Sequence, residues 1–393
     1  MSSATSLARA AGPDLVLANA RLVLPDGVVR GAVAVAEGRI ADIAEGRAVP
    51  RGAVDCAGAL VLPGLVELHT DNLEKHLSPR PGVHWPEDAA VVAHDGELAA
   101  AGITTVCDAV RAGTLLDGTP RAEAEARYAR RAARAIRRLL GAGVLRIDHL
   151  LHVRAEVCSH TVLEELDEFA DEDMVRIVSI MDHTPGQRQF ADESKYRQYY
   201  QGKHGMTDAE LDAYVARTKA LFDERGAAHE AGIVERARAM GAVLASHDDT
   251  HHDHVARSIE IGVDFAEFPT TLEAARAYHG AGIPVMMGAP NILRGGSHSG
   301  NVAAMELAEA GLLDILSSDY APSALLMGAM RVARESGDLP GAVATVTRNP
   351  AHAVHLDDRG EIAPGRRADL LTVTELDGLP IVTGVWSAGR KVG

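Results

Sequence analysis

The chain of 393 residues is 47% hydrophobic and 24% charged with a formal net charge of −16, which excludes collagen-like, low-complexity and disordered classes and leaves an ordinary α/β protein. So acidic a balance works against a nucleic-acid or anionic-membrane partner, because both need a basic face to release counterions. Cys56, Cys107 and Cys158 are isolated, with no CxxC pair, so no disulfide framework or cysteine-zinc site is written here, which fits a reducing cytoplasm.

Residues 1–12 (MSSATSLARAAG) hold one Arg and no apolar run long enough for a signal segment, and no later stretch approaches the ~18 apolar residues of a membrane span. Secretion and membrane spanning are not expected. From Asp14 to Leu62 the segments DLVLANARLVL, GAVAVAEGRIADIAE and AVDCAGALVLPG alternate apolar and polar residues between turns, which predicts a small sheet.

After Pro63-Gly64 the texture changes to apolar runs separated by helical patterns. Eight runs are found: 65–69, 103–110, 146–157, 174–182, 243–247, 263–268, 283–289 and 313–319. Repeated βα units of this number predict a (β/α)8 TIM-like barrel, and a barrel of ~250 residues leaves room for an accessory domain. Helices are predicted over the Ala/Arg-rich 121–140 and after the capping box Thr207-x-x-Glu210. The tail leaves helix at Pro350 and gives strands near 368–374 and 381–386 that complete the first sheet. The domains are therefore a barrel over 63–352 and a small composite β-sandwich from 1–62 and 353–393.

In a parallel barrel the active site lies at the carboxyl ends of the strands. His69 and Asp71 follow the first run, Glu156 ends the third, His183 follows the fourth, His247 ends the fifth and Asp319 ends the eighth. Any one of these could merely cap a helix or sit satisfied in the core. Together they are the donor set of a divalent-metal hydrolase, since imidazoles and carboxylates hold Zn, Mn or similar ions, one or two, with positions left open for water. His69-x-Asp71 would place both side chains on one strand face, and Asp319 could also accept the proton of the attacking water. In ASHDDTHHDHV only His247 is taken as a ligand, with His254 as a substrate contact and the other histidines as solvated residues after a helix start capped by Asp or Thr250.

With these residues in place, the layout and the tail DRGEIAPGRRADLLTV resemble the amidohydrolase superfamily. The longer stretches ELHTDNLEKHLSPRPGVHWP, ASHDDTHHDHV, AEFPTTLEAA, GAPNILRGGSHSGNVAA and ILSSDYAPSALL are similar to the α-D-ribose 1-methylphosphonate 5-triphosphate diphosphatase family of the carbon-phosphorus lyase pathway. The resemblance spans essentially the whole chain. It implies a barrel of amidohydrolase type and a metal-dependent diphosphatase of phosphonate catabolism that releases pyrophosphate and leaves ribose 1-methylphosphonate 5-phosphate. The superfamily pattern commonly has His where Asp71 stands and takes its later His pair from the fifth and sixth strands. Here the fourth and fifth supply them, and the sixth run ends in Glu267-Phe268.

A triphosphate brings roughly four negative charges, so cations and N–H donors should crowd the mouth. Substrate contacts are expected from Arg80, Arg188 and Arg294, from Lys195 and Lys203 in KYRQYYQGKHG, and from Ser297, His298 and Ser299. The last three lie in a Gly-rich turn read as an anion nest before a helix starting near Asn301. The expected partner is a small phosphorylated sugar, with a homodimer left open. The alternatives are a C–N hydrolase, either cyclic amidase or deaminase, and a barrel kept only as a scaffold.

Overall fold

The alternating segments at the two chain ends and the apolar runs between them form separate sheets. The computed structural model describes residues 14–80, 82–115, 127–169, 174–186, 188, 207–297 and 300–393. The chain opens with β1 (Leu15–Leu24), β2 (Gly27–Ala36), β3 (Arg39–Glu45), β4 (Val54–Asp55) and β5 (Leu60–Pro63).

The apolar runs then become β6 (Leu65–Thr70), β7 (Ile103–Ala112), β8 (Asp148–Glu156), β9 (Val175–Met181), β10 (Val243–His247), β11 (Phe265–Glu267), β12 (Val285–Gly288) and β13 (Ile315–Ser317). Each pairs in parallel with its sequence neighbour. They form a nearly closed barrel of eight strands, as the run count predicts. Its seam is drawn together where Thr70 bridges to Asp319. Leu68, Cys107, Ile177, Ala245, Phe265, Met286 and Ile315 fill the interior, while Val106, Leu151, Val178 and Leu244 face the helix layer. Burial on both faces explains why these runs are continuous rather than alternating.

The tail supplies β14 (Leu370–Leu376), β15 (Leu379–Ser387) and β16 (Arg390–Lys391). Asp377 and Gly378, both at positive φ, make the tight β14–β15 turn that such a hairpin favours. The order β16-β15-β14-β5-β1-β2-β3, with β4 beside β1, is one continuous sheet from both chain ends. It bends over a core of Leu17, Leu22, Val35, Ile40, Val61, Leu370 and Trp386, so that Gly38 and Ala388 meet. Arg359 ties the tail to the barrel through Asp148 at 2.7 Å and Thr105 at 2.8 Å.

Local expectations hold or shift for identifiable reasons. Thr207 and Glu210 do make a reciprocal capping box, opening the helix Asp208–Ala239. The Ala/Arg-rich helix is described as Tyr128–Gly141, the part before residue 127 lying outside the described residues. Pro350 does not end a helix: it stands in the first turn of Arg348–Ala353, where its missing N–H has no intrahelical acceptor to lose. Among the described residues no helix is long and apolar enough to cross a membrane.

Candidate metal centre

Two residues past the end of β13, Asp319 takes a left-handed backbone with φ of 53°. That turn lets the Asp319 amide donate to the His69 carbonyl at 3.1 Å, while the Asp71 amide donates to the Asp319 carbonyl at 2.9 Å. The Thr70 hydroxyl donates to the same carbonyl at 2.9 Å. First and last barrel strands thus bring His69, Asp71 and Asp319 together. Asp71 is not on the β6 face as its spacing suggested; it follows Thr70 and precedes the helix Asn72–Leu77. Its carboxylate nevertheless turns toward His69 Nε2, at 3.9 Å.

Burial opposes ionisation of Asp71, but the ion-paired Arg154 guanidinium and the neighbouring His69 outweigh it and hold the carboxyl below its usual range. Asp319 moves the other way. Burial and the nearby Asp71 carboxylate push it up, which makes it the more ready proton acceptor.

On the opposite wall, Glu156 Oε2 lies 2.5 Å from His183 Nδ1, and the His183 and His247 rings meet edge to face at 5.9 Å. His69 and His247 stack at 5.7 Å. The candidate ligands therefore form one neighbourhood rather than several. His183, His247 and Asp248 each offer a ligand atom within 4.8 Å of the others, a mixed imidazole and carboxylate set suited to a divalent ion. Asp248 follows directly on His247 and was passed over in the sequence, where DDTHHDH reads as a solvated helix start. His251 and His252 are indeed exposed. The helix there is His252–Ile261, with His251 as its N-cap and no side-chain cap; Thr250 instead donates to the Asp248 carbonyl.

Glu267 ends the sixth strand, where the superfamily histidine is missing. It is fully buried, with Oε1 3.4 Å from His69 Nδ1 and Oε2 3.0 Å from His247 Nδ1. One carboxylate sets two rings. His152, Glu267 and His69 also lie within ligand range of one another, but His152 Nδ1 is 2.8 Å from the Leu68 carbonyl and Nε2 is 2.9 Å from Ser179 Oγ. With both nitrogens engaged and burial pushing its pKa down to about 4, His152 is a satisfied core imidazole.

A separate buried cluster lies outside the barrel wall. His94 Nε2 and His149 Nδ1 each stand 2.7 Å from a different oxygen of Asp108. Hydrogen bonds shared through protons account for this spacing, and Asn72 extends the chain from His94 at 3.2 Å.

The described loop cations, Arg80, Arg188 and Arg294, are placed less favourably for an anion. Arg80 is exposed. Arg188 is spent: its guanidinium pairs with buried Asp249 and bonds the His247 carbonyl at 2.8 Å. Arg294 is exposed in the last turn of the helix Ala289–Arg294. The amides of Gly295 and Gly296 close that helix on the Ile292 and Asn291 carbonyls, so they do not form the expected nest, and the next helix starts at Ala304 rather than near Asn301. Ser297 is half-buried beyond this turn. His254 is half-buried, its Nδ1 accepting the Thr250 amide at 3.3 Å. Lys195, Lys203, His298 and Ser299 lie outside the described residues.

Comparison with known proteins gives the family. Residues 60–392 match the amidohydrolase family. The chain is 47% identical over 381 residues to alpha-D-ribose 1-methylphosphonate 5-triphosphate diphosphatase of Escherichia coli (strain K12), covering 96% of this chain and 100% of that one. Among solved structures it resembles N-acetylglucosamine-6-phosphate deacetylase from Pasteurella multocida, with a TM-score of 0.60, 13% identity and coverage of 96% and 99%. It also resembles molinate hydrolase, with a TM-score of 0.61, 14% identity and coverage of 97% and 94%. These two likenesses speak to the fold.

Proposed function

Because this chain belongs to the amidohydrolase family, we propose that it hydrolyses α-D-ribose 1-methylphosphonate 5-triphosphate to ribose 1-methylphosphonate 5-phosphate and pyrophosphate in phosphonate catabolism. The observation that carries the reading is 47% identity along nearly the whole chain to a diphosphatase of that substrate. The geometry supports the reaction class: strand ends far apart in sequence bring His69, Asp71, Glu156, His183, His247 and Asp319 into one contact chain.

Those six residues, with Asp248 beside His247, are the proposed holders of one or two divalent ions, Zn, Mn or Mg. Bound ions of this kind bring a water's pKa from about 15.7 toward about 7 and offset charge on phosphoryl oxygens. Glu267 fixes the His69 and His247 rings. Asp319, held by main-chain bonds to β6, takes the proton of the attacking water on a carboxylate oxygen while the new P–O bond forms and the anhydride P–O bond breaks. Pyrophosphate leaves with the bonding pair, and no covalent enzyme intermediate is needed. The free, buried state of Cys56, Cys107 and Cys158 supports a cytoplasmic location.

The test is incubation of Mn- or Zn-loaded protein with the triphosphate, followed by phosphorus NMR. Resonances of pyrophosphate and the sugar monophosphate are expected. Ammonia released from a cyclic amide or a base, with the triphosphate untouched, would replace this reading by C–N hydrolysis.

A further inference from the structure

Among the described residues Arg80, Arg188 and Arg294 are exposed or already paired, yet two arginines stand side by side on the barrel wall. Arg111 on β7 and Arg154 on β8 are direct partners in the parallel ladder. Partnered residues share a sheet face, and here it is the interior one. Two residues earlier the same ladder pairs Ala109 with His152, whose ring bonds Leu68 and Ser179 inside the barrel. Two residues after Arg154 comes Glu156, so both arginines belong to the rim that carries the proposed ligands.

Neighbouring strands run ~4.8 Å apart, and like charges directly opposite are destabilising. Such a pair persists only where anions surround it. Arg154 is 14% exposed and pairs with Asp71. Its Nε donates to Met181 Sδ at 3.2 Å, a weak acceptor, and its other terminal nitrogen has no hydrogen-bond partner among the described residues. Arg111, its partner across the ladder, is likewise partly buried. When Asp71 engages an ion, as the proposed function requires, Arg154 shares its anionic partner with that ion.

We propose that Arg111 and Arg154 form the phosphoryl-oxygen subsite, two planar guanidinium forks receiving the substrate's polyphosphate beside the metal centre. Planar paired donors match phosphate oxygens better than the point charge of lysine does. The proposal rests on the diphosphatase reading for the identity of the anion, but the subsite itself is a claim about binding.

The experiment titrates inorganic pyrophosphate and tripolyphosphate into the metal-loaded protein by calorimetry and compares R111M, R154M and R154K. Metal content and melting temperature are measured on every sample. Loss of one charge-assisted donor set should weaken pyrophosphate binding about 10- to 100-fold in R111M and R154M, with partial recovery in R154K. In turnover assays KM should rise more than kcat falls. Should R154M shed its ions because Asp71 is released, R111M at full metal content decides the matter. Unchanged pyrophosphate affinity in folded, metal-replete R111M overturns the subsite. Unsubstituted protein that binds pyrophosphate through these arginines yet leaves the triphosphate intact removes the diphosphatase and keeps the subsite.

Discussion

His247 Nδ1 lies 3.0 Å from Glu267 Oε2, with both groups buried, and this one bond decides which ring nitrogen looks into the barrel mouth. Nδ1 donates to the carboxylate, and Nε2 faces Asp248 at 3.3 Å. His69 uses the other oxygen of Glu267 in the same way, at 3.4 Å. Burial opposes the charge on Glu267, but His69 and the hydrogen bonds from the His247 and His69 rings outweigh it and hold the carboxyl well below its ordinary range.

Glu267→Gln keeps the volume but offers only one carbonyl acceptor to two rings. Metal affinity and kcat/KM should both fall about 10- to 100-fold, with the circular dichroism spectrum unchanged. Ion content measured by plasma mass spectrometry checks it; full occupancy with wild-type turnover would remove the positioning role.

Asp319→Asn leaves the main-chain bonds to His69 and Asp71 in place and removes only the basic oxygen. Pyrophosphate release should drop by at least about 10²- to 10⁴-fold, while the melting temperature moves little. Normal release from this variant refutes Asp319 as the proton acceptor.

Asp249 is a stability residue by the same geometry that takes Arg188 out of substrate binding. It accepts from Ser258 Oγ at 2.6 Å and from the Tyr278 hydroxyl, besides pairing with Arg188. Asp249→Ala leaves a largely buried guanidinium with only the more distant Asp182 carboxylate, at 3.9 Å from Nε, which should cost about 3 kcal/mol. Urea denaturation reads the loss. A midpoint equal to wild type would mean that Arg188 finds solvent without penalty.

The His94–Asp108–His149 cluster predicts how stability varies with pH. Burial alone would lower His149, but the Asp108 and Asp95 carboxylates outweigh it and raise its pKa to about 9. His94 also faces this cluster, across Asp108, and Arg146 pairs with Asp95. A folded pKa above the unfolded value of about 6.5 stabilises fully below that value and is lost as pH rises through about 9. The contribution is on the order of 3 kcal/mol. Chemical denaturation from pH 6 to 10 should show an alkaline decline that His149→Gln flattens; parallel curves would dismiss the cluster as its source.

The barrel was legible because both-face burial writes each strand as an apolar run, and the candidate ligands because they stand where those runs stop. What escaped depends on register. Glu267 looked like a vacancy on the sixth strand, since nothing local says that its carboxylate reaches rings on the first and fifth. Arg154 was passed over as part of a run, although its two-residue offset from Glu156 already put it on the same face. The Gly295-Gly296 turn misled for another reason: a glycine pair that ends a helix and one that cradles an anion have the same composition.

The Thr70–Asp319 bridge joins residues separated by 249 positions. A polypeptide growing from its amino end holds His69 and Asp71 long before Asp319 has been synthesised, so a nascent fragment carries only half of a pocket. Long-range pairing of this kind forms late and slowly. The full donor set therefore comes together only when the eighth strand closes against the first, whereas His183, His247 and Asp248 meet without it.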